Sequence, residues 1–408
     1  MNSEAIHTGR SFYAPRFILR VDGRRAEGND GRAVEPHVIR DVIELTFEDN
    51  LDEYEFFEFT LSDWDPVLNA PKYSSPYDGA GRPRTDGAGH EIPAFEPGMA
   101  AELVLGYYGP EEPVSKLLGT IVTVSPSFPE SGLPQMKVRA ISNLFQLQRG
   151  PLTRSFSDQT DTAIAQALAG DLGIGVATPA GQSGREVANA FVMLNNEPPV
   201  KFLARRARLL GYDLVMLPPP PADLGLEVTG GGAGEPVLFF GPSESATPTY
   251  RLGWGKTLIH FDIALRIKDQ VGKVTVQGLD PTKSGDARNI KGEATLAQLG
   301  LDFPDPKLFD LVAGALEATE TLEPDAAVRS QAEAEARARG LLLDRVRDMV
   351  TAEGGTVGFP HLRAGATVRI DGVGPRYSAD WVLTKTTHRI DANGYTTRFS
   401  ARMKTRSA

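Results

Sequence analysis

The sequence predicts an α+β protein, rich in β structure and divided into several domains. Three observations predict this class. Apolar and polar residues alternate strictly in segments near both ends of the chain, as they do in half-buried strands. Apolar stripes of helical period occupy the middle of the chain. The 408 residues are also too many for one ordinary core, which favours two to four domains.

The first β domain is predicted over residues 11–148. In FILRVDG, Phe17, Leu19 and Val21 alternate with Ile18, Arg20 and Asp22, which is a strand pattern. The other strand patterns of this domain lie at 38–47, 54–64, 101–109, 117–128 and 135–144. Residues 70–98 are rich in Gly, Pro, Ser and Asp and predict a long surface loop. We expect a curled sheet or barrel.

A small α/β domain is predicted over residues 149–248. Residues 155–174 place apolar side chains four apart and predict a helix that ends at Gly173. Residues 197–217 predict a second helix, followed by a short strand. Pro199 suits the first turn of this helix, and Gly211 suits its end.

The second β domain is predicted from two separate segments, 249–281 and 361–405, because residues 282–360 have the character of an inserted helical segment. The insertion contains a predicted helix over 325–350, with Pro324 at its start. Asn393-Gly394 lies between two alternating segments and predicts a tight β-hairpin near the C-terminal end.

Composition excludes several classes of protein. A formal net charge of -10 argues against a nucleic-acid-binding protein, and the basic group Arg205, Arg206 and Arg208 fits a solvated or interface face of a helix. The chain has no cysteine, which excludes thiol catalysis, disulfides and cysteine-bound zinc. No apolar run reaches the roughly 18 residues of a membrane span, and the N-terminus does not resemble a secretory signal.

Candidate catalytic groups are few. His388 and Asp391 are close in sequence, but a strand histidine beside a turn aspartate is the simpler interpretation. Asp63 and Asp65 flank Trp64 and have the spacing of part of a glycosidase carboxylate pair, although a polar strand end is again simpler. The six histidines show no spacing typical of metal ligands. We therefore predict no catalytic, cofactor-binding or metal-binding residues, and no enzyme activity.

Several stretches, taken in order, resemble one family. They include DVIELTFEDNLDEYEFFEFTLSDWD (41–65), FEPGMAAELVLGY (95–107), SFSDQTDTAIAQALAGDLGI (155–174), FVMLNNEPPVKFLARRARLLGYDLVM (191–216), YRLGWGKTLIHFDIALRIKDQVGKVTVQGLDP (250–281) and the segment 357–403. This ordered set resembles the late control protein D family. Its members are the baseplate hubs of contractile phage tails, the hub part of the VgrG spike of type VI secretion, and the hubs of extracellular contractile injection systems.

The resemblance implies a structural homotrimer in which each protomer carries two tube-like β-barrels, so that a six-fold inner tube meets a three-fold spike. It implies as partners an inner tube protein, baseplate wedge proteins and a separate spike protein, since the chain stops at Ala408 without the spike repeats of VgrG. It implies assembly in the bacterial cytoplasm within a tail-like particle, which can be released with the particle. Two alternatives remain: a glycan- or peptidoglycan-hydrolysing tail enzyme, and a carbohydrate-binding tail component.

Overall fold

The computed structural model describes most of the chain. The described residues are 4–5, 14–22, 36–51, 55–109, 114–142, 150–182, 184, 186–217, 226–232, 237–242, 250–268, 270–280, 283–299, 305–316, 319–324, 328 and 330–404. None of the helices found there is long and apolar enough to cross a membrane.

Strands dominate the described part of the chain. In chain order they are β1 (Glu4–Ala5), β2 (Pro15–Asp22), β3 (Val42–Asn50), β4 (Phe56–Ser62), β5 (Ala100–Tyr107), β6 (Val114–Ser127), β7 (Gln135–Ser142), β8 (Leu152–Gln159), β9 (Gly175–Pro179), β10 (Asn189–Glu197), β11 (Asp213–Leu217), β12 (Leu226–Thr229), β13 (Val237–Gly241), β14 (Tyr250–Gly253), β15 (Leu258–Leu265), β16 (Lys273–Leu279), β17 (Asn289–Thr295), β18 (Glu320–Pro324), β19 (Val350–Val357), β20 (Thr367–Asp371), β21 (Asp380–Asp391) and β22 (Gly394–Met403).

The helices are shorter and fewer. They are α1 (Pro36–Asp41), α2 (Asp161–Gly170), α3 (Pro199–Leu210), α4 (Leu296–Leu299), α5 (Pro306–Leu316) and α6 (Gln331–Val346). The predicted class, a β-rich α+β protein of several domains, is confirmed.

Thirteen strands of the described residues join in one large sheet with two halves. In the first half the strands lie in the order β3-β4-β7-β6-β5-β2, and in the second half they lie in the order β15-β19-β22-β21-β20-β14. When the six strands of each half are numbered along the chain, these two orders are identical. The pairings agree in direction except at the last strand, since β2 is antiparallel to β5 and β14 is parallel to β20.

The equivalence extends to irregularities of the two halves. In chain order, both halves interrupt the ladder between the second and third strands and between the fifth and sixth strands. The shared shifts lie between Val42 and Glu44, between Leu258 and His260, between Ile121 and Thr123, and between Leu383 and Lys385. The first half has one further shift, between Leu103 and Val104. Bulges at matching positions make the second half a structural repeat of the first.

Each half has its own apolar core. The first core contains Phe47, Phe57 and Phe59, whose side chains are fully buried. The second core contains Trp381 and Phe399 and continues into the inserted segment. Tyr395 of β22 belongs to the first core, so the hairpin β21–β22 contributes to both halves.

The α/β domain stands between the two halves in sequence. Its four strands lie in the order β11-β13-β9-β12, and β8 and β10 form a separate two-stranded ribbon. Helix α2 begins at Thr160, whose side chain accepts a hydrogen bond from the Ala163 amide, so residues 155–159 of the predicted helix are strand instead. Helix α3 ends at Gly211 with φ 69°, which confirms the left-handed cap that the glycine predicted.

The inserted segment carries a three-stranded sheet in the order β17-β16-β18, packed against α6. In strand pairing, the segment between β15 and β19 spans residues 266–349, whereas the sequence predicts 282–360. Strand β16 pairs inside the segment and β19 pairs in the large sheet. Alternation in a sequence identifies a strand but not its partner, which explains the difference. Helix α6 is also shorter than predicted, because Ser330 caps it and Pro324 ends a strand.

Helix α6 lies so close to α3 that a glycine is required between them. A Cβ on Gly340 would lie 2.2 Å from the backbone oxygen of Leu209. On α5, by contrast, a Cβ on Gly314 would meet no atom within 4 Å. The inserted segment is therefore fastened to the α/β domain by backbone-to-backbone packing.

We expect Gly340→Ala and Gly314→Ala to have opposite effects. The intrinsic preference of a helix for alanine should stabilise the Gly314→Ala variant by up to about 1 kcal/mol. In Gly340→Ala the clash with Leu209 should outweigh that preference and lower the free energy of unfolding by about 1–3 kcal/mol. Urea denaturation measures both; stabilisation by Gly340→Ala would contradict the close approach of the helices.

Candidate functional site at the junction of the two sheets

The two halves of the large sheet are joined through β21. On one side, β21 pairs with β22 along its length. On the other side, residues 380–382 pair with β20, and residues 385–390 pair with β3 of the first half. The amide of Leu51 extends this junction by donating to the carbonyl of Thr384 at 3.0 Å. One strand thus carries backbone hydrogen bonds to both halves.

His388, the first candidate catalytic residue, is fully buried at this junction. Its Nε2 lies 2.9 Å from the carbonyl oxygen of Leu362, and because a carbonyl only accepts, Nε2 is the protonated nitrogen. Its Nδ1 accepts a hydrogen bond from the Tyr395 hydroxyl at 2.8 Å. Burial, followed by the neighbouring Tyr107, raises the pKa of Tyr395 well above its ordinary value, so the phenol stays a donor. His388 therefore links the backbone at Leu362 to the side chain of Tyr395 in the first core.

Asp391 does not join His388. Its Oδ1 accepts a hydrogen bond from the Asn393 amide at 2.7 Å in the hairpin turn, and its Oδ2 pairs with Arg389 at 3.0 Å. The imidazole nitrogens of His388 contact Tyr395, Thr397 and Leu362 instead. The structure therefore separates the two residues into a core position and a turn position.

A buried ionic cluster seals the junction. The guanidinium of Arg363 donates to Asp49 Oδ2 at 2.6 Å and to Glu55 Oε1 at 2.7 Å, and the Ala364 amide also donates to Asp49 at 3.0 Å. Burial opposes the charged guanidinium, but the two carboxylates outweigh it and raise the pKa of Arg363. The acids come from the first half and the arginine from the connection before β20, so the cluster joins segments 308 or more residues apart.

Asp213 fastens the α/β domain to the second half. Its two carboxylate oxygens accept from Arg402 at 2.6 Å and from Arg347 at 3.0 Å. Arg402 belongs to β22 and Arg347 follows α6. One buried carboxylate therefore connects the large sheet, the insertion and the α/β domain.

Asp63 and Asp65, the candidate glycosidase pair, are buried and organise the loop after β4. Asp63 Oδ1 accepts from the Tyr73 amide at 2.6 Å, and Asp65 accepts from the amides of Val67 and Gly87 at 2.8 and 2.6 Å. These amide hydrogen bonds, that of Gly87 first, hold the pKa of Asp65 below its ordinary value. The carboxylates thus serve as acceptors for backbone groups in the predicted 70–98 loop.

Among the strand edges of the large sheet that lie open in the described part of the chain, two carry exposed large apolar side chains. Beyond Leu258, which forms a bridge with Trp254, strand β15 pairs with β19 alone, and the residues of β6 beyond Ile121 pair with β7 alone. Large apolar side chains lie at both edges: Ile259 on β15 is 58% exposed, and Phe128 at the end of β6 is 60% exposed. Unpaired backbone groups beside exposed apolar side chains are typical of a surface that pairs with another chain.

The sequence did not reveal the junction residues. Arg363, Asp49 and Glu55 carry no shared motif, and their positions in the sequence do not indicate that they meet. In the described residues no group of three or more His, Asp or Glu side chains is arranged to hold a metal ion.

We expect Arg363→Ala to be strongly destabilising, because it leaves Asp49 and Glu55 buried without their cation. The free energy of unfolding should fall by about 3–5 kcal/mol, as is typical when one partner of a buried ion pair is removed. Arg376→Ala is the matched control, since Arg376 pairs with Asp305 at 2.9 Å but is half exposed. Its loss should lower the free energy of unfolding far less, because an exposed ion pair contributes little to stability. Equal losses of unfolding free energy in chemical denaturation would show that the buried cluster stabilises the protein no more than an exposed ion pair does.

We expect the loop after β4 to lose protection in acid through Asp65. A carboxyl whose pKa is lowered on folding stabilises the folded loop above its unfolded pKa, about 3.9, and that contribution is lost as the pH falls through the folded pKa. The protection of residues 66–92 against hydrogen exchange, taken relative to the intrinsic exchange rate at each pH, should therefore decrease at low pH. In Asp65→Asn this protection should already be lower at neutral pH and should depend less on pH. Asp158→Asn, an exposed change in β8, should leave this loop unchanged.

Comparison with solved structures shows which proteins share this fold. The 43 kDa tail protein of a Shewanella oneidensis prophage is similar with a TM-score of 0.62 and 15% identity, over 95% of this chain and 98% of that one. A tail protein of Neisseria meningitidis gives a TM-score of 0.61 and 12% identity, over 96% and 97%.

A third similar structure is an E. coli component of the type VI secretion system, which itself resembles tail proteins of bacteriophage T4. It gives a TM-score of 0.51 and 11% identity, over 95% of this chain and 76% of that one. No family model matches the chain, and no curated protein matches it in sequence. The chain therefore has the fold of these two tail proteins and of this type VI secretion component.

Proposed function

We propose that the chain is a structural baseplate hub of a phage-like contractile injection system, a homotrimer that joins a six-fold inner tube to a three-fold spike. The observation that carries this proposal is the internal repeat: each protomer holds two sheet halves with the same strand order. Three protomers would present six equivalent sheets to a tube, while the whole assembly keeps the three-fold symmetry that a spike requires.

The remainder of the molecule supports the same role. Each half has one long connection at a place where the other half has a short one. In the first half it is residues 63–99, between β4 and β5, and in the second half it is residues 266–349, between β15 and β19. A ring built from such protomers alternates two surfaces around its rim. This alternation suits an adaptor that contacts a uniform tube on one side, and spike and wedge proteins elsewhere. Assembly would take place in the bacterial cytoplasm, in a tail-like particle.

The hydrolase alternative has less support. Its four candidate residues, His388, Asp391, Asp63 and Asp65, bind backbone groups, a buried tyrosine or a neighbouring arginine. A glycosidase needs its two carboxylates to face the scissile bond across a cleft. We therefore propose a non-enzymatic role.

The mass of the purified chain tests the proposal. Light scattering should give three times 44.0 kDa, about 132 kDa, because a closed cyclic state ends association at a defined size. The mass should increase when a candidate spike protein is added. A chain that remains at one protomer at every concentration, with and without the spike and tube proteins, would contradict a trimeric hub.

A further inference from the structure

The strand pairing that joins the two halves inside one protomer has an equivalent that is not formed, at two open strand edges of the large sheet. Internally, the second strand of the first half, β3, pairs with the distal part of the fifth strand of the second half, β21. By the repeat, the equivalents of these strands are β15 and β6. In the described residues β15 has one free edge, and so does β6 beyond Ile121.

The details of β6 and β21 support this equivalence. The bulge of β6 at Ile121 matches the bulge of β21 at Leu383. Next to it, Ile121 donates to the carbonyl of Met99 and accepts from Gly98, and Leu383 likewise donates to Ala366 and accepts from Gly365. Residues of β6 and β21 therefore correspond with a constant offset of 262, so residues 123–128 of β6 correspond to residues 385–390 of β21.

Burial shows what is missing at the free edge. In β3, Leu45 and Phe47 are fully buried, and they lie opposite Ile390 and His388 of β21. Their equivalents in β15, by the pairing with β19, are Phe261 and Ile263. Both pack against the second core but remain only partly buried. A strand paired with β15 would cover Phe261 and Ile263, as β21 covers Leu45 and Phe47 of β3.

We infer that β15 of one protomer pairs antiparallel with residues 123–128 of β6 in a second copy of the chain, in the register of the internal junction. This inference rests on the proposed function, whose trimer it specifies. The predicted opposite pairs are Phe261 with Phe128, Asp262 with Ser127, Ile263 with Pro126, Ala264 with Ser125, Leu265 with Val124, and Arg266 with Thr123. Each protomer donates one strand and accepts one, so the contact is heterologous and closes as a ring.

The two junctions differ in chemistry. The internal one carries the ion pairs Lys385–Glu48 at 2.8 Å and Arg389–Glu44 at 3.2 Å, in addition to the Arg363 cluster. The equivalents of Lys385, Glu48 and Asp49 are Thr123, Ala264 and Leu265. Pro126 has no backbone N–H, so this ladder has up to one donor fewer than the internal one. The contact between protomers is therefore mainly apolar, and we expect it to change little with salt concentration.

Engineered disulfides test the register, because the chain has no cysteine of its own. Directly opposite residues of antiparallel strands have Cα atoms about 4.5–5.5 Å apart, which suits a disulfide. The variant Asp262→Cys with Ser127→Cys should form, on oxidation, a covalent trimer in a non-reducing gel. The internal counterpart, Thr46→Cys with Arg389→Cys, should close within one chain and serves as the positive control. The shifted pair, Asp262→Cys with Thr123→Cys, should not cross-link.

A surface substitution gives a second readout. Phe128 and Leu133 lie on the same hairpin tip and are 60% and 59% exposed, but Phe128 alone faces β15 in the inferred pairing. Phe128→Asp should weaken trimer association about tenfold or more, as does loss of a central apolar contact in an interface. Leu133→Asp should leave the mass unchanged.

The outcomes separate this inference from the proposed function. A trimer that cross-links only through the shifted pair or not at all, while the internal pair closes, overturns the strand pairing and leaves the trimeric hub standing. A chain that is always monomeric overturns both. A covalent trimer from Asp262→Cys with Ser127→Cys, together with dissociation by Phe128→Asp alone, supports the inferred contact.

Discussion

The rest of the structure depends on the pairing of β21 with strands from both halves of the large sheet. A free sheet edge leaves a row of backbone groups unpaired and one side of the core uncovered. At β21 both problems are solved together, since β3 gains its backbone partner and Leu45 and Phe47 are covered. The Arg363 cluster makes this arrangement specific, because Asp49 and Glu55 are buried and require a cation in one place.

In the proposed trimer, the repeat would let one chain meet both a six-fold and a three-fold partner. The two halves share their strand order and two of their bulge positions, so they would offer similar surfaces to a neighbour. They differ in the segments that join the strands, one being a loop held by aspartates and the other a small domain fastened through Gly340 and Asp213. In the proposed ring the shared sheet would form every position, and the unequal segments would distinguish every second position.

The polar residues that resemble catalytic groups in the sequence stabilise the fold instead. His388 and Tyr395 hydrogen-bond within the core, and Asp63 and Asp65 accept backbone amides of a loop. Each is buried, and each has at least one hydrogen-bonding partner inside the protein. A buried polar group needs such partners, because leaving water without them costs free energy. Their burial therefore has a structural explanation that requires no substrate.

The sequence by itself determined the types of most elements. Alternation located strands such as β2, β4 and β5, Gly211 ended α3, and Asn393-Gly394 turned the last hairpin, because these signals are local. It did not reveal the repeat, since equivalent positions hold Phe57 and Ala352, or Phe59 and Gly354, and only their place in the ladder is shared. Nor did it place β16 and β19 in their sheets or bring Arg363 to Asp49. Strand partners and buried ion pairs are chosen by which surfaces meet in the folded chain, and that choice is made by the tertiary structure alone.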